Sequence, residues 1–213
     1  MSIDEVIIVE NLYKSFPIGG KKTMIINGLS FKLYKYKSLI IKGPSGSGKT
    51  TILKLLLGLL EPDAGAVRVL GKDPFREPVR VRQLVGYLPQ NPLLIPQLTI
   101  WENQLFYLEG RNHKTGKAIS YARRIAESLG IEYLLEQYPT SLSSGELKRA
   151  ELMLALSDKP PLLLLDEPTA MIDSRNVQRV INILTEAKQW AAMVITTHDP
   201  RLDVIADKIV ELG

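Results

Sequence analysis

The chain has 213 residues, of which 45% are hydrophobic and 23% charged, with a net charge of +4 at pH 7. This composition provides for a substantial buried core and excludes a disordered or fibrous protein. The absence of cysteine excludes disulfides, thiolate metal sites and cysteine nucleophiles. No apolar run approaches the roughly 18 residues that span a bilayer, so we expect no transmembrane helix.

Short apolar, β-branched and alternating stretches predict strands along the whole chain. In order, they are residues 5–10, 25–33, 38–42, 66–70, 84–88, 161–167, 192–197 and 205–212. The first two have the character of antiparallel strands. The run at 161–167 is apolar until it ends in two acids, which is typical of a central strand in a parallel sheet.

Three- and four-residue apolar spacing predicts helices between these strands. They are residues 51–60, a mostly helical insert within residues 98–156, and residues 176–190. The last helix of the insert opens at Gly145. Residues 11–22, which carry Pro17 and a pair of glycines, predict a loop with Phe16 exposed beside it.

Residues 43–50 fit the phosphate-binding pattern G-x-x-x-x-G-K-[ST] without a mismatch. Its glycines let backbone N–H groups point at anionic oxygens, and the helix that follows adds the partial charge of its N-terminus. Lys49 can reach the β- and γ-phosphates, and the Thr50 hydroxyl is suited to binding Mg²⁺. The predicted phosphate-binding residues are Gly43, Pro44, Ser45, Gly46, Ser47, Gly48, Lys49, Thr50 and Thr51.

Beyond the phosphate loop, three predicted strands end in side chains suited to phosphoryl transfer. Ligands bind at the C-terminal ends of strands in an open α/β sheet, so we expect these side chains to converge on the phosphates. Asp166 is predicted to hold Mg²⁺, and Glu167 to polarise the attacking water. Gln90 can offer its carbonyl to Mg²⁺ and its amide to the water, although an ordinary loop glutamine is the alternative. His198 can donate to the γ-phosphate and orient Glu167, and Lys49 completes the predicted catalytic set.

Residues 142–146, Leu142-Ser143-Ser144-Gly145-Glu146, resemble the signature LSGGQ of the ATP-binding subunits of ATP-binding-cassette (ABC) transporters. Together with the phosphate loop, Gln90, the acid pair and His198, in this order, the resemblance covers residues 5–212. It implies that two such subunits enclose two ATP molecules, each signature completing the site of the other subunit. The residues implied to bind the partner's nucleotide are Ser143, Ser144, Gly145 and Glu146.

The resemblance also implies roles for residues outside these motifs. Phe16 occupies the position of the aromatic platform for adenine, with Tyr13 as a nearby rival. Asp173 is the acidic member of a loop that crosses the dimer interface. Two residues depart from the family pattern, because Ser144 replaces a glycine and Glu146 a glutamine. The Cβ of Ser144 narrows the accessible backbone conformations, so we expect an altered grip on the partner's γ-phosphate.

The fold implied by the resemblance is α/β, with a P-loop NTPase (RecA-like) core, an antiparallel β subdomain and an inserted helical subdomain. We expect one domain over residues 1–213. Residues 1–90 and 157–213 would form the nucleotide-binding core with its antiparallel lobe, and residues 91–156 the helical subdomain.

The implied function is hydrolysis of ATP with Mg²⁺ to power a membrane transporter of the exporter or lipoprotein-release type. The implied partners are a second ATP-binding subunit and separate transmembrane permease subunits, without nucleic acid. We expect the chain in the cytoplasm, peripheral on the inner face of the cell membrane. Two alternatives stay open at this point, a soluble cassette ATPase acting on DNA or ribosomes and a small-molecule kinase. The kinase gives no reason for residues 142–146.

Overall fold

The computed structural model describes residues 4–212, so residues 1–3 and 213 of the predicted core lie outside the described residues. The strands are β1 Glu5–Ile18, β2 Lys21–Tyr34, β3 Ser38–Lys42, β4 Ala64–Val69, β5 Val85–Leu88, β6 Leu162–Asp166, β7 Ala192–Thr196 and β8 Lys208–Glu211. The α-helices are α1 Lys49–Leu56, α2 Pro78–Gln83, α3 Ile100–Gly110, α4 Gly116–Leu129, α5 Ser144–Leu156 and α6 Ser174–Ala187. Short 3₁₀ helices precede α5 and β8.

The centre of the molecule is a five-stranded sheet in the order β5-β6-β7-β3-β8, and every neighbouring pair is parallel. All five residues of β6 and all five of β7 are buried, as a central strand covered on both faces requires. Because the strands are parallel, the residues after β3, β5, β6 and β7 meet at one edge of the sheet. This edge carries the phosphate loop, Gln90, Asp166 with Glu167, and His198.

The two faces of the parallel sheet pack against different layers. Leu162 and Leu164 of β6 point into a cluster that contains α1 and the antiparallel strands. Leu163 and Leu165 point into a second cluster that contains α4, α5 and α6. The helical region therefore shares a continuous apolar core with the sheet. Within residues 4–212, no helix has the length and apolarity that crossing a membrane requires.

A separate antiparallel sheet has the order β2-β1-β4. The predicted loop at residues 11–22 is wrong, because β1 continues to Ile18 and β2 resumes at Lys21, with only Gly19-Gly20 as the turn. Pro17 is tolerated since the ladder between β1 and β4 ends at Tyr13, so Pro17 lies on an edge. Phe16, which we expected to be exposed, is half-buried on this strand.

The helix bounds differ from the prediction where capping residues decide them. α1 begins at Lys49, and Gly58 in a left-handed conformation follows its end, so the helix is shorter than the predicted 51–60. α6 begins at Ser174, because the Asp173 carboxylate accepts from the N–H groups of two residues in its first turn. The mostly helical insert is confirmed by α3, α4 and α5, whereas the short helix α2 was not predicted.

Candidate functional site

The phosphate loop forms a concave backbone surface, and at two of its glycines the neighbouring residues leave no room for a side chain. Gly48, immediately before α1, has φ 96°, and a Cβ there would lie 2.8 Å from the side chains of both Ile25 and Ile26. A Cβ on Gly43 would lie 2.6 Å from Ser47 Oγ and 2.7 Å from the Leu212 carbonyl oxygen. A side chain at either position would therefore displace its neighbours. This concave surface, at the N-terminus of α1, fits a polyphosphate.

Lys49 and Thr50 form the first turn of α1 and point toward different parts of the site. Lys49 Nζ donates to the carbonyl oxygens of Gly43 at 2.7 Å and Pro44 at 2.9 Å, so the ammonium lies across the loop. Thr50 Oγ1 donates to Asp166 Oδ2 at 2.6 Å. The helix start therefore links the phosphate loop to the acidic end of β6.

Asp166 is 1% exposed, and each of its carboxylate oxygens accepts a hydrogen bond. Thr196 Oγ1, at the end of β7, donates to Oδ1 at 2.6 Å, while Thr50 binds Oδ2. A buried carboxylate needs such donors, and they fix its orientation. The oxygens of Asp166 and Thr50 are hard ligands of the type that Mg²⁺ prefers, so these residues fit that cation.

Glu167 follows β6 in a left-handed backbone conformation, with φ 49°, which is uncommon for a residue with a Cβ. This conformation aims its carboxylate at the end of β7. His198 Nδ1 lies 2.9 Å from Glu167 Oε1, and Thr197 Oγ1 donates to Oε2 at 3.2 Å. The Glu167 side chain is mostly buried, whereas His198 is exposed. The Glu167 carboxylate is therefore held at the edge of a cavity by its contact with His198.

Gln90 lies just after β5 and is exposed. Its backbone carbonyl accepts a hydrogen bond from Lys148 Nζ at 3.2 Å, and the Pro89 carbonyl accepts one at 2.8 Å. Glu151 Oε1 accepts from the N–H of Leu93 at 2.6 Å. The loop that carries Gln90 is therefore attached to α5 by buried side chains.

These strand ends enclose a cavity of about 950 Å³. Fourteen of the residues predicted to bind nucleotide or metal or to act in catalysis line it, namely Phe16, Gly43, Pro44, Ser45, Gly46, Gly48, Lys49, Thr50, Thr51, Gln90, Ser144, Asp166, Glu167 and His198. Ser47 does not line it, and its Oγ is buried. Tyr13, the alternative to Phe16, packs instead against Gly28. The Phe16 ring lies beside Lys14, whose Nζ is 5.5 Å from the ring centroid.

The signature residues have a different arrangement, because only Ser144 among them lines the cavity of its own chain. Ser143 caps α5 in a capping box with Glu146, whose Oε2 accepts from Ser143 Oγ at 2.7 Å. Tyr133 OH donates to the other Glu146 oxygen at 3.1 Å. These hydrogen bonds, above all the one from Ser143, lower the pKa of Glu146. A Cβ on Gly145 would lie 2.7 Å from the Met171 carbonyl, so the helix start packs against residues 170–173.

Sequence reasoning missed three residues that shape this site, Thr196, Lys148 and Glu151. The hydroxyl of Thr196 is one of two at the end of β7, and nothing in the pattern distinguishes it from that of Thr197. Lys148 and Glu151 are charged residues on α5 that ordinarily predict a solvated face, yet both are buried. Their spacing of three residues on a helix that is buried along its length is the one signal that could have found them.

A family model described as ABC transporter matches residues 26–170. The chain is 35% identical to the lipoprotein-releasing system ATP-binding protein LolD 1 of Rhodopirellula baltica, over 90% of this chain and 87% of that protein. It is 36% identical to the molybdate/tungstate import ATP-binding protein WtpC of Thermococcus kodakarensis, over 87% of this chain and 53% of that protein. A solved dimeric, post-hydrolysis structure of the ATP-binding cassette MJ0796, bound to ADP and phosphate, has a TM-score of 0.83 and 25% identity, covering 97% and 94%. The similarity therefore spans both sheets and the helical region.

Proposed function

This chain belongs to the ABC transporter family, and from that membership we propose that it powers an exporter or a lipoprotein-releasing transporter. It is an ATP-binding and ATP-hydrolysing subunit that uses Mg²⁺, and the predicted P-loop ABC ATPase fold is confirmed. The choice of transporter type rests on the 35% identity to LolD 1, a lipoprotein-releasing system ATP-binding protein, over 87% of that protein.

The observation that carries the proposed chemistry is the convergence of two hydrogen-bonded pairs on one cavity, Thr50 with Asp166 and His198 with Glu167. Lys49 and the loop N–H groups bind the phosphates. Thr50, Asp166 and the side-chain carbonyl of Gln90 would hold Mg²⁺. That cation supplies neutralisation of phosphate charge when bound.

Glu167 is the proposed general base. Its carboxylate accepts a proton from water while the water oxygen bonds to the γ-phosphorus and the bond between that phosphorus and the ADP oxygen breaks. His198 fixes the Glu167 carboxylate through Nδ1. Phe16 provides a ring against which adenine stacks.

The second ATP-binding subunit is proposed to be another copy of this chain. Ser143 is exposed and does not line its own cavity, and the neighbouring Met171 is 82% exposed. A large apolar side chain in this position is suited to a protein contact. Two such surfaces related by a two-fold axis would place each signature opposite the phosphate loop of the partner.

The membrane partner is proposed to contact residues 91–107, which connect Gln90 to the helical region. Phe106 of α3 lies in this segment and is 62% exposed. A permease subunit that packs here would sense the nucleotide through Gln90. The chain would then lie in the cytoplasm, on the inner face of the membrane that holds the permease.

The test is isolation of the native complex followed by transport and ATPase assays. Phe106→Arg should release the membrane subunit and abolish transport, while basal ATPase stays within about twofold, because the change lies outside the cavity. Ile209→Arg is the matched control, since Ile209 is 42% exposed on β8, at the opposite edge of the parallel sheet. Recovery of nucleic acid or ribosomes in place of a membrane subunit would favour a soluble cassette ATPase. A phosphorylated small product would favour a kinase.

A further inference from the structure

Two buried charged side chains attach the loop of residues 89–93, here called the Gln90 loop, to α5. Lys148 is 7% exposed, and its ammonium donates to two successive carbonyl oxygens at the start of the loop, those of Pro89 and Gln90. Glu151 is 4% exposed, and its carboxylate accepts from the N–H of Leu93 at the end of the loop. A cation therefore holds carbonyl groups at one end, and an anion holds an N–H group at the other.

These two side chains make their hydrogen bonds to the loop and not to each other. Among residues 4–212 no ion pair joins Lys148 to Glu151, although they lie three residues apart on the same helix. Burial lowers the pKa of Lys148 and raises the pKa of Glu151, because removing each charged group from water costs free energy. Apolar side chains would fill the same space without this cost. The hydrogen bonds to the loop are what the charged groups add.

Both residues line the nucleotide cavity, and Lys148 lies one helical turn after Ser144. We propose that Lys148 and Glu151 are positioning residues that fasten the Gln90 loop to the signature helix α5, so that a movement of α5 displaces Gln90 relative to the phosphates. This inference rests on the role of Gln90 in the proposed function. It adds a mechanical connection by which engagement of the signature would reach the Mg²⁺ ligands of the same chain.

Hydrogen exchange of the nucleotide-free chain tests the attachment itself. Glu151→Leu removes the acceptor of the Leu93 amide, which should then exchange about tenfold faster or more, while β6 keeps its protection. Glu151→Gln retains an acceptor oxygen and should preserve the slow exchange of this amide. Unchanged exchange of the Leu93 amide in Glu151→Leu would overturn the attachment. Since this measurement needs no activity, it stands even if the proposed function fails.

Kinetics test whether the attachment acts through Gln90. Lys148→Met keeps the apolar stem and removes the ammonium. We expect kcat to fall about tenfold, with the Kd of ATP changed less than about threefold, because the phosphate loop is intact. Lys188→Met is the matched control. Lys188 also donates to a backbone carbonyl, that of Ile205. It lies near the start of β3, at the N-terminal ends of the strands and therefore away from the cavity.

The decisive comparison combines Lys148→Met with Gln90→Ala. If Lys148 acts through Gln90, Lys148→Met should reduce kcat by no more than about twofold further in the Gln90→Ala background. Losses that multiply would mean that Lys148 acts independently of Gln90, and the proposal would be overturned. Glu151→Gln should rescue the kcat that Glu151→Leu loses. A kcat equally low in both Glu151 variants would also contradict the proposal.

Discussion

The hydroxyl of Thr196 should be a determinant of stability and of Mg²⁺ binding, although it does not line the nucleotide cavity. Thr196 is fully buried, and its Oγ1 is one of two hydroxyl groups that donate to the buried Asp166 carboxylate, each at 2.6 Å. Thr196→Val keeps the shape and the β-branching that β7 requires but leaves Asp166 Oδ1 without this donor. A hydrogen bond to a buried charged group contributes about 1.5–3 kcal/mol, so we expect a loss of this size.

For a chain of this length, that loss should lower Tm by about 3–12 °C in a thermal unfolding experiment without nucleotide. The apparent affinity for Mg²⁺ in the ATPase assay should fall about tenfold, because Thr196 orients Asp166, which we propose binds the cation. Thr185→Val is the control, since the Thr185 hydroxyl is bonded within α6 and the residue is exposed. The reasoning would be refuted by a Thr196→Val protein as stable as Thr185→Val with an unchanged Mg²⁺ dependence.

Three further predictions concern single side chains. Lys49→Ala should abolish hydrolysis and weaken ATP binding in calorimetry, and unchanged affinity with unchanged turnover would contradict the proposed site. Glu167→Gln should reduce turnover about 10²-fold or more while ATP still binds, and a normal rate would place the base elsewhere. Hydrogen bonds from Arg201 lower the pKa of Asp199 from 3.8 to about 2. This stabilisation, about 1 kcal/mol after solvent screening, is present above pH 3.8 and is lost as pH falls toward 2. The free energy of unfolding of Asp199→Asn, measured in acid unfolding, should therefore decrease less between pH 3.8 and pH 2 than that of the wild type.

The parallel sheet could be predicted because each of its strands is specified by local pattern. The run of leucines at 162–165 is typical of a strand buried on both faces, which places the two acids directly after it at the C-terminal edge. The same reasoning predicts that the phosphate loop and His198 reach this edge. A side chain that directly follows a parallel strand lies at the C-terminal edge of the sheet, so its position can be predicted from the sequence pattern alone.

Elements decided by tertiary contacts escaped prediction. Pro17 argues for a loop in isolation, but the end of the ladder with β4 leaves it on an edge where its missing N–H costs little. Lys148 and Glu151 have the charges of a surface helix, yet they are buried because the Gln90 loop covers them. Their partners are backbone groups about sixty residues away in sequence, and the apolar periodicity of α5 gives no sign of such a contact.

The start of α5 predicts that the signature works on the nucleotide of a second copy. Ser143, Gly145 and Glu146 do not line the cavity of their own chain, where the N-terminus of α1 is already proposed to bind the phosphates. A second set of donors therefore has to reach the γ-phosphate from a partner across a two-fold interface.

Ser143→Arg places bulk and charge at the exposed start of α5 and should inactivate a homodimer, as should Lys49→Ala in the phosphate loop. In a heterodimer of the two variants, one composite site has both defects and the other has neither. Equal mixing yields heterodimers as half of the population, so about a quarter of wild-type ATPase activity should return if the two sites act independently. The assay needs a direct measure of heterodimer formation, such as recovery of one variant through an affinity tag on the other. Heterodimers that form without any return of activity would mean that the signature acts within its own chain or has no part in hydrolysis.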